Sequence, residues 1–249
     1  MTLIVDEVML REPNLLVPGK KPVGPVKIDW SNNISKGIIG CWIINEVGSS
    51  HVTNIVTGDR GIISSGPYWK ADNLYINVTT DAVNCGNGGK ISTIFSNSGT
   101  VFLQFDWGST SSNRGLTGQD TTTVKFWQIK ALAAGAGGIG ISIDGDTDGG
   151  KKDISTADLG LEDGNKHSVA LVKDDDNNTI TVYVDGKQEG QTSSTGDASS
   201  SDDLYIGDLK TGASGLNGTM YNTFIFDRAL SLSEVQSLGY DPYQILIPA

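Results

Sequence analysis

Residues 203–246, DLYIGDLKTGASGLNGTMYNTFIFDRALSLSEVQSLGYDPYQIL, decide the fold of this chain. The segment begins with a short strand that ends in Leu-Tyr-Ile-Gly, and a glycine-rich loop follows it. Alternating apolar and polar residues then predict a longer strand over Gly218–Phe226. Two strands joined by a flexible loop therefore lie at the end of the chain.

A short helix is predicted directly after these strands. Ser231 and Glu234 have the spacing of a capping box, in which each side chain bonds the backbone N–H of the other residue. Leu230 and Val235 are placed for a hydrophobic staple. Gly239 predicts a left-handed stop. One helix of one to two turns is expected to close the domain.

The composition favours a turn-rich β protein. The 249 residues include 32 glycines and only three methionines, with 37% hydrophobic residues. The formal net charge is −11, from 29 acidic and 18 basic residues. Because an acidic surface repels nucleic acid and anionic lipid, neither is a predicted partner.

The first residues do not resemble a signal peptide. Charged residues interrupt the apolar positions of MTLIVDEVMLREP, and no apolar run reaches the roughly 20 residues of a membrane span. Synthesis in a cytosol is therefore expected. Cys41 and Cys85 are the only cysteines, and they are either two reduced thiols or one disulfide.

Residues 1–28 differ from the rest of the chain. The stretch LVPGKKPVGPV contains three of the seven prolines, which favours extended, solvated backbone. We predict an extended N-terminal arm, and a disordered tail is the alternative. The basic pair Lys20-Lys21 is suited to docking on an acidic neighbouring subunit.

Short strands separated by turns follow from Gly37 onwards. GIIGCWIINE predicts a buried strand, and Val101–Trp107 alternates apolar and polar positions. KHSVALVKD and TITVYVDGK, in residues 166–187, predict a hairpin with a further tight turn at Asp185-Gly186. This spacing of turns predicts two antiparallel sheets.

Three of these segments carry a family resemblance over roughly residues 37–240. They are the opening strand with Trp42 and Glu46, the hairpin beginning near His167, and the C-terminal segment with Arg-Ala-Leu-Ser. Together they resemble laminin-G-like and pentraxin-like jelly rolls of the concanavalin A-like lectin/glucanase superfamily. The resemblance implies an all-β, two-sheet antiparallel jelly-roll sandwich over residues 29–249, with the arm 1–28 and one short C-terminal helix.

The sequence contains no motif of a known catalytic site in the structural context that the motif requires. Residues 135–140 match GxGxxG, but they lead into a β-like segment and not into the helix that would hold a pyrophosphate. No Glu-x-Asp-x-x-Glu triplet supplies the paired carboxylates of a retaining glycosidase. His51 and His167 are the only histidines, and no Gly-x-Ser-x-Gly elbow occurs. The protein is predicted not to be an enzyme.

Two groups of acidic residues are candidate calcium ligands. Asp144, Asp146 and Asp148 alternate before a glycine and could wrap a calcium ion, although Ser155 stands where an EF-hand needs glutamate. A solvated hairpin is the alternative. The resemblance also implies a structural calcium near Glu46 and Asp227, for which turn capping is the alternative.

Exposed aromatic side chains are candidates for stacking on sugars. Trp42, Trp107 and Trp127 are predicted to be core residues, since they lie in apolar or alternating strands. Tyr68 and Trp69 follow Ser-Gly-Pro in a turn context and are the predicted ligand-binding pair.

Two classes of function agree with these observations. The first is a non-enzymatic structural protein of a phage virion, such as a head-decoration, head-fibre or tail component. Residues 240–248, YDPYQILIP, resemble the ends of phage-encoded laminin-G-like proteins. A homo-oligomer, most plausibly a trimer, is expected there, with the arm contacting capsid or tail proteins. The second class is a glycan-binding adhesion module, and a glycoside hydrolase relative ranks third.

Overall fold

The computed structural model describes residues 16–64, 66–71, 73–77, 82–108, 112–119, 125–132, 137–145, 150–209 and 214–249. These residues form eighteen strands, one α-helix and two short 3-10 turns. The strands are β1 (Val26–Ile28), β2 (Ile38–Trp42), β3 (His51–Thr53), β4 (Arg60–Ile63), β5 (Tyr68–Lys70), β6 (Asn73–Ile76), β7 (Val83–Asn84), β8 (Gly99–Phe105), β9 (Arg114–Gln119), β10 (Phe126–Leu132), β11 (Gly138–Asp144), β12 (Lys152–Ser155), β13 (His167–Asp174), β14 (Thr179–Val184), β15 (Lys187–Ser193), β16 (Tyr205–Ile206), β17 (Gly218–Phe226) and β18 (Leu246–Pro248). The helix α1 covers Leu232–Tyr240, and the 3-10 turns cover Gly89–Thr93 and Pro242–Ile245.

Two large antiparallel sheets form a sandwich. Sheet I has the order β12-β11-β10-β9-β16-β7-β4-β3. Sheet II has the order β15-β14-β13-β8-β17-β6-β5, and β2 pairs with the second half of β17. β1 and β18 form a separate two-stranded sheet. The predicted all-β, two-sheet antiparallel sandwich with one C-terminal helix is confirmed.

The main core lies between sheets I and II. In β8 the side chains of Val101, Leu103 and Phe105 point into this core, whereas Phe102 points to the outer side of sheet II. This is the alternation that the sequence predicts. Trp107 and Trp127 are fully buried, and the Trp127 ring packs edge-on against Phe95 with 5.4 Å between centroids. The tryptophans predicted as core residues are therefore core residues.

A second apolar cluster covers part of the outer face of sheet II. The chain's own ends supply the cover, which consists of α1, the strand pair β1–β18 and the loop before β2. Phe102 and Phe224 stack there with 5.9 Å between ring centroids, and Val235 and Leu238 of α1 pack in the same cluster. We call this region the covered half of sheet II.

The helix begins as predicted and ends differently. Ser231 and Glu234 form the reciprocal capping box. The left-handed stop at Gly239 is wrong, because Gly239 is helical and α1 continues to Tyr240. Asp241 is extended, with φ −139° and ψ 92°. The next residue, Pro242, explains the end, since a proline ring disfavours helical backbone at the preceding residue.

The described part of the N-terminal arm lies on its own body. The Lys21 ammonium donates to the Ile44 carbonyl at 2.9 Å, and the Asn45 side chain donates to the Pro22 carbonyl at 3.1 Å. β1 then pairs with β18 in antiparallel register. Residues 16–28 are therefore part of the folded unit, and residues 1–15 lie outside the described residues.

Both cysteines are free thiols. Burial raises the pKa of Cys41 and of Cys85, so both thiols stay protonated at neutral pH. They behave as small apolar groups in the core.

Candidate functional site

Among the described residues, no apolar element covers the outer face of sheet II at β5, β6 and the first half of β17. In β6, Leu74 and Ile76 are fully buried in the core, so Asn73 and Tyr75 point outward. Asn222 and Gln104 form the boundary with the covered half, where the Asn222 Nδ2 donates to the Gln104 Oε1 at 2.9 Å. We call the region beyond this boundary the open half of sheet II.

A stacked pair of tyrosines forms the centre of the open half. The Tyr68 and Tyr75 rings have centroids 4.9 Å apart and an interplanar angle of 28°. The Tyr75 hydroxyl donates to the Asn217 Oδ1 at 3.1 Å, and burial raises the Tyr75 pKa. Tyr68 is 52% exposed. The pair therefore presents a rigid aromatic face to solvent.

A third tyrosine lies beside this pair. Tyr221 sits at a bulge in β17, between Met220 and Asn222, where the register against β8 shifts. The bulge explains why its side chain joins the outer face. The Tyr221 hydroxyl donates to the Asp106 Oδ2 at 2.8 Å, which fixes the ring.

Three ammonium groups lie against these rings. Lys70 Nζ is 5.7 Å from the Tyr75 ring centroid, and Lys166 Nζ is 5.7 Å from that of Tyr221. Lys21 Nζ is 6.0 Å from the Tyr221 centroid and also donates to Asn73. These are cation–π distances. We call the whole group the tyrosine surface; it consists of Tyr68, Tyr75, Tyr221, Lys21, Lys70, Lys166, Asn73 and Asn217.

Of the predicted ligand-binding pair, only Tyr68 lies on this surface. Trp69 points the other way, packs against the main core, and donates its Nε1 hydrogen to the Ser49 carbonyl at 2.9 Å. The sequence analysis missed Tyr75 and Tyr221. The alternation of NLYI could have identified Tyr75, because Leu74 and Ile76 are the apolar neighbours that turn inward.

The structure places three of the five predicted calcium ligands. Asp144 is the last residue of β11, and Asp146 and Asp148 lie outside the described residues. Glu46 accepts from the Thr53 N–H at 2.6 Å and from the Asn45 N–H at 3.2 Å, as a turn cap does.

Glu46 and Asp227 are not brought together. β2 and β17 run antiparallel with Phe226 opposite Ile38, so Asp227 and Glu46 lie beyond opposite ends of the pair. Asp227 forms an ion pair with Lys90. Among the described residues, no group of three or more His, Cys, Asp or Glu side chains could hold a metal ion. Structural calcium stays a prediction.

A cavity of about 460 Å³ is an alternative candidate site. It opens beside β2, and apolar side chains dominate its walls; Ile38, Trp42, Val56, Cys85 and Ile91 are among them. A sugar carries hydroxyls that need several polar partners. The tyrosine surface offers those partners next to exposed rings, so it is the better candidate site for a carbohydrate.

Comparison with known families identifies the chain. A family model described as the concanavalin A-like lectin/glucanases superfamily matches residues 77–236, which is more than half of the sequence. The chain belongs to this superfamily. A search of curated proteins finds no match.

Several solved structures have a fold similar to that of this chain, at low sequence identity. The CBM40 of Ruminococcus gnavus IT-sialidase bound to α2,3-sialyllactose has 15% identity and a TM-score of 0.55, with 67% of this chain and 96% of that chain covered. Trypanosoma rangeli sialidase in complex with 2,3-difluoro-KDN has 15% identity, a TM-score of 0.64, and coverage of 84% and 33%. The binding domain of botulinum neurotoxin serotype D has 12% identity, a TM-score of 0.62, and coverage of 84% and 52%.

These likenesses concern the fold alone. The chain spans only a third of the sialidase and about half of the neurotoxin domain, but nearly all of the CBM40. No helix of the described residues is long and apolar enough to cross a membrane.

Proposed function

We propose that this protein is a non-enzymatic carbohydrate-binding protein and that the tyrosine surface is its binding site. The observation that carries the proposal is the stacked, half-exposed Tyr68–Tyr75 pair on the open half of sheet II. Isolated exposed aromatics are common on proteins, but a stacked pair whose inner ring is hydrogen-bonded has a fixed orientation. A ring fixed in advance loses little side-chain entropy when a ligand binds.

The chemistry of the tyrosine surface suits a sugar. The C–H face of a pyranose can stack on the exposed Tyr68 ring, while its hydroxyls bond the polar groups at the ring edges. Asn73 and Asn217 supply amide groups, and Lys70 supplies an ammonium. Such shallow, partly solvated sites bind with dissociation constants of roughly micromolar to millimolar, or about −4 to −8 kcal/mol.

Relatives of the same fold support a glycan as the ligand class. The CBM40 structure contains sialyllactose, and the botulinum neurotoxin DC binding domain was solved in complex with SialylT. Those ligands belong to those proteins, at 10–15% identity. For this chain the ligand class is inferred from the tyrosine surface itself.

The non-enzymatic part of the proposal rests on how the acidic groups next to the tyrosine surface are used. Asp106 accepts from the Thr219 N–H and from the Tyr221 hydroxyl, both at 2.8 Å, so both carboxylate oxygens have structural partners. Glycoside hydrolysis uses a pair of carboxyl groups on either side of the scissile bond. Asp241, which interacts with Lys166, accepts from the Tyr243 N–H at 3.1 Å, so it also has a structural role.

A glycan array with the full chain tests the proposal. We expect binding to at least one glycan class, without hydrolysis products in the same wells. Tyr68→Ala and Tyr75→Ala should each weaken binding by about fivefold or more, since a stacked aromatic contact contributes about 1 kcal/mol. Trp30→Ala is the matched control, because Trp30 is 60% exposed in the turn after β1. Glycan binding that is unchanged in both tyrosine variants, or hydrolysis of the glycan, would contradict the proposal.

A virion role is the second candidate. The end of the chain favours it, because residues 240–248 resemble the ends of phage-encoded laminin-G-like proteins. Residues 246–248 pair with β1, so the described end of the arm and the C-terminus lie together on the body. A trimer would then use residues 1–15 as the exchanged arm.

Light scattering on the full chain and on a chain beginning at Leu16 tests this assembly. The shorter chain keeps the docked residues 16–28, so only the first fifteen residues differ. We expect a trimer that becomes a monomer upon truncation. A monomer in both cases would contradict the exchanged arm, and particle proteomics that finds this chain in no phage would contradict the virion role.

A further inference from the structure

We infer that the tyrosine surface binds an anionic glycan, one whose sugar carries a carboxylate or sulfate that the surface lysines recognise. The inference rests on the proposed function, because it specifies the ligand of the same site. It is motivated by a group of lysines that lie over tyrosine rings on a protein whose formal net charge is −11.

Lysines are concentrated at the tyrosine surface. Lys21, Lys70 and Lys166 belong to it, and Lys20 is close enough to interact electrostatically with Lys166. Among the described residues, the carboxylates nearby already have partners: Asp106 bonds Tyr221, Asp163 and Asp185 bond His167, and Asp241 accepts from the Tyr243 N–H and interacts with Lys166. The described part of the surface therefore presents ammonium groups to a ligand.

Lys70 and Lys166 differ from several other lysines in the described part of the chain. Five lysines elsewhere form ion pairs with acidic side chains; they are Lys90, Lys125, Lys151, Lys173 and Lys187. Lys70 and Lys166 form no ion pair with any described residue and lie instead over tyrosine rings. Burial and, to a smaller extent, repulsion by the neighbouring Lys20 lower the pKa of Lys166, and Asp241 partly offsets this effect. An anion bound there would relieve that repulsion.

The geometry places these charges at the edges of the aromatic face. Lys70 lies over Tyr75, and Lys166 and Lys21 lie over Tyr221, each ammonium 5.7–6.0 Å from a ring centroid. A sugar stacked on Tyr68 thus has an ammonium within reach at its rim. Charge-assisted hydrogen bonds to a carboxylate or sulfate are roughly twice as strong as those between neutral groups.

The overall charge favours a ligand with few charges over a polyanion. A nucleic acid or a heavily sulfated polymer would extend across the acidic remainder of the protein, which repels it. A single acidic residue on a short glycan meets only the local lysines. At 0.15 M salt the Debye length is about 8 Å, so distant acidic residues are largely screened from so small a ligand.

The test compares three trisaccharide- or disaccharide-sized ligands by calorimetry on the full chain: lactose, α2,3-sialyllactose and 3′-sulfolactose. We expect the two acidic ligands to bind about tenfold more tightly than lactose, with a difference that shrinks at high salt. The sialyl and sulfo arms distinguish a carboxylate from a sulfate as the recognised group.

Charge-removing variants then locate the effect. Lys70→Gln and Lys166→Gln should each weaken binding of the preferred acidic ligand by about threefold to fivefold, and should weaken lactose binding by a smaller factor. Lys187→Gln is the matched control, because Lys187 is 78% exposed on β15, at the opposite edge of sheet II. Melting curves of the variants should overlay that of the parent protein, since these side chains are on the surface.

The outcomes separate the two proposals. If lactose and the acidic ligands bind equally and Tyr68→Ala weakens all of them, the anionic inference is wrong and the proposed function stands. If acidic ligands bind more tightly than lactose but neither Lys70→Gln nor Lys166→Gln weakens their binding, the charge is recognised elsewhere and the inference is wrong. If no glycan of the array binds, both proposals fail.

Discussion

The two halves of the outer face of sheet II share strand β17 and differ in what lies on them. In the covered half, Phe102 and Phe224 are fully buried beneath α1 and the chain ends. In the open half, Tyr68 and Tyr75 stack in a partly solvated position with lysines over the rings. Both halves carry an aromatic pair, so the presence of aromatic residues alone does not distinguish a core surface from a candidate binding surface.

The covering elements make the difference. The covered half receives Val235 and Leu238 from α1 and Ile245 and Leu246 from the C-terminal segment. From the described part of the arm, the open half receives charged side chains instead: the Lys21 ammonium donates to the Ile44 carbonyl and to the Asn73 side chain, and Lys20 lies near Lys166. Burial under apolar side chains stabilises the folded state. A fixed aromatic face that stays partly solvated is available to a ligand, which is the role that we propose for the open half. Substitutions in the covered half should therefore lower the free energy of unfolding, whereas substitutions in the open half should weaken sugar binding.

The largest expected effect is the loss of stability in the covered half. Phe224→Ala removes a fully buried ring that stacks on Phe102, so the free energy of unfolding should fall by about 3–5 kcal/mol. Tyr68→Ala is the matched aromatic truncation in the open half and should cost under about 1 kcal/mol. Urea unfolding of both variants measures the difference. Equal losses would show that the two halves are not distinct.

An intermediate effect is expected where α1 is attached to the body. The Arg228 guanidinium binds both Glu234 oxygens, at 2.7 and 3.0 Å, and donates to the Lys36 carbonyl at 2.7 Å. It thereby joins the capping box of α1 to the loop before β2. Arg228→Ala should lower the free energy of unfolding by about 2 kcal/mol, since charge-assisted hydrogen bonds contribute about 1.5–3 kcal/mol.

Arg228→Lys is the control for this junction. It keeps the charge but not the planar fork that bonds both glutamate oxygens, so it should recover less than half of the lost stability. Full recovery would indicate that only charge matters there. Sugar binding by the folded fraction should not change in either variant, because Arg228 does not belong to the tyrosine surface.

The sequence predicts the covered half better than the open half, and the reason is the range of the interactions. The alternation in Val101–Trp107 and the capping box at Ser231 are local patterns, and both are confirmed. Tyr221 reaches the outer face through a bulge, which depends on the register between β17 and β8. Its neighbour Lys166 is more than fifty residues away in sequence, so no local pattern could join them.

The same limit applies to the candidate site as a whole. Tyr68 could be proposed from its turn-rich context, and the alternation of NLYI could place Tyr75 on the outer face, but the stacking of the two rings is seen only once β5 and β6 pair. Trp69 is placed by the same pairing on the core side of β5. One residue of shift in that strand would exchange the two side chains, which is why composition alone could not choose between them.

The smallest expected effect is at His167, next to Lys166 at the edge of the open half. His167 Nδ1 lies 2.8 Å from an Asp185 oxygen, and Nε2 lies 3.0 Å from an Asp163 oxygen. The hydrogen bond to Asp185 raises the pKa of His167 above 6.5 against the opposing effect of burial, and Asp163 adds to the increase. The folded protein therefore binds a proton here more tightly than the unfolded chain.

The direction of the pH dependence follows from that difference. The stabilisation is fully present below about pH 6.5, the pKa of an unperturbed histidine, and is lost as the pH rises through the higher pKa of the folded state. Asp163, whose pKa is lowered to about 2 by hydrogen bonds from Asn165 and then His167, stays ionised throughout this window. The Asp185 carboxylate also stays ionised, because the hydrogen bonds from His167 and the Ser168 N–H outweigh the effect of burial on its pKa.

His167→Gln should remove this pH dependence while keeping a hydrogen-bond donor. We expect the parent protein to be more stable than the variant by about 0.5–1 kcal/mol at pH 5.5, the scale of a partly exposed ion pair, and the gap to close by pH 9. Urea unfolding at both pH values measures the gap, and titration of the histidine by NMR measures the folded-state pKa directly. A gap that is equal at both pH values would assign His167 a packing role against Phe105, whose ring centroid lies 6.4 Å away, instead of an electrostatic one. Because His167 directly follows Lys166 of the tyrosine surface in the sequence, the same titration followed in sugar binding would show whether the charge of His167 affects that surface.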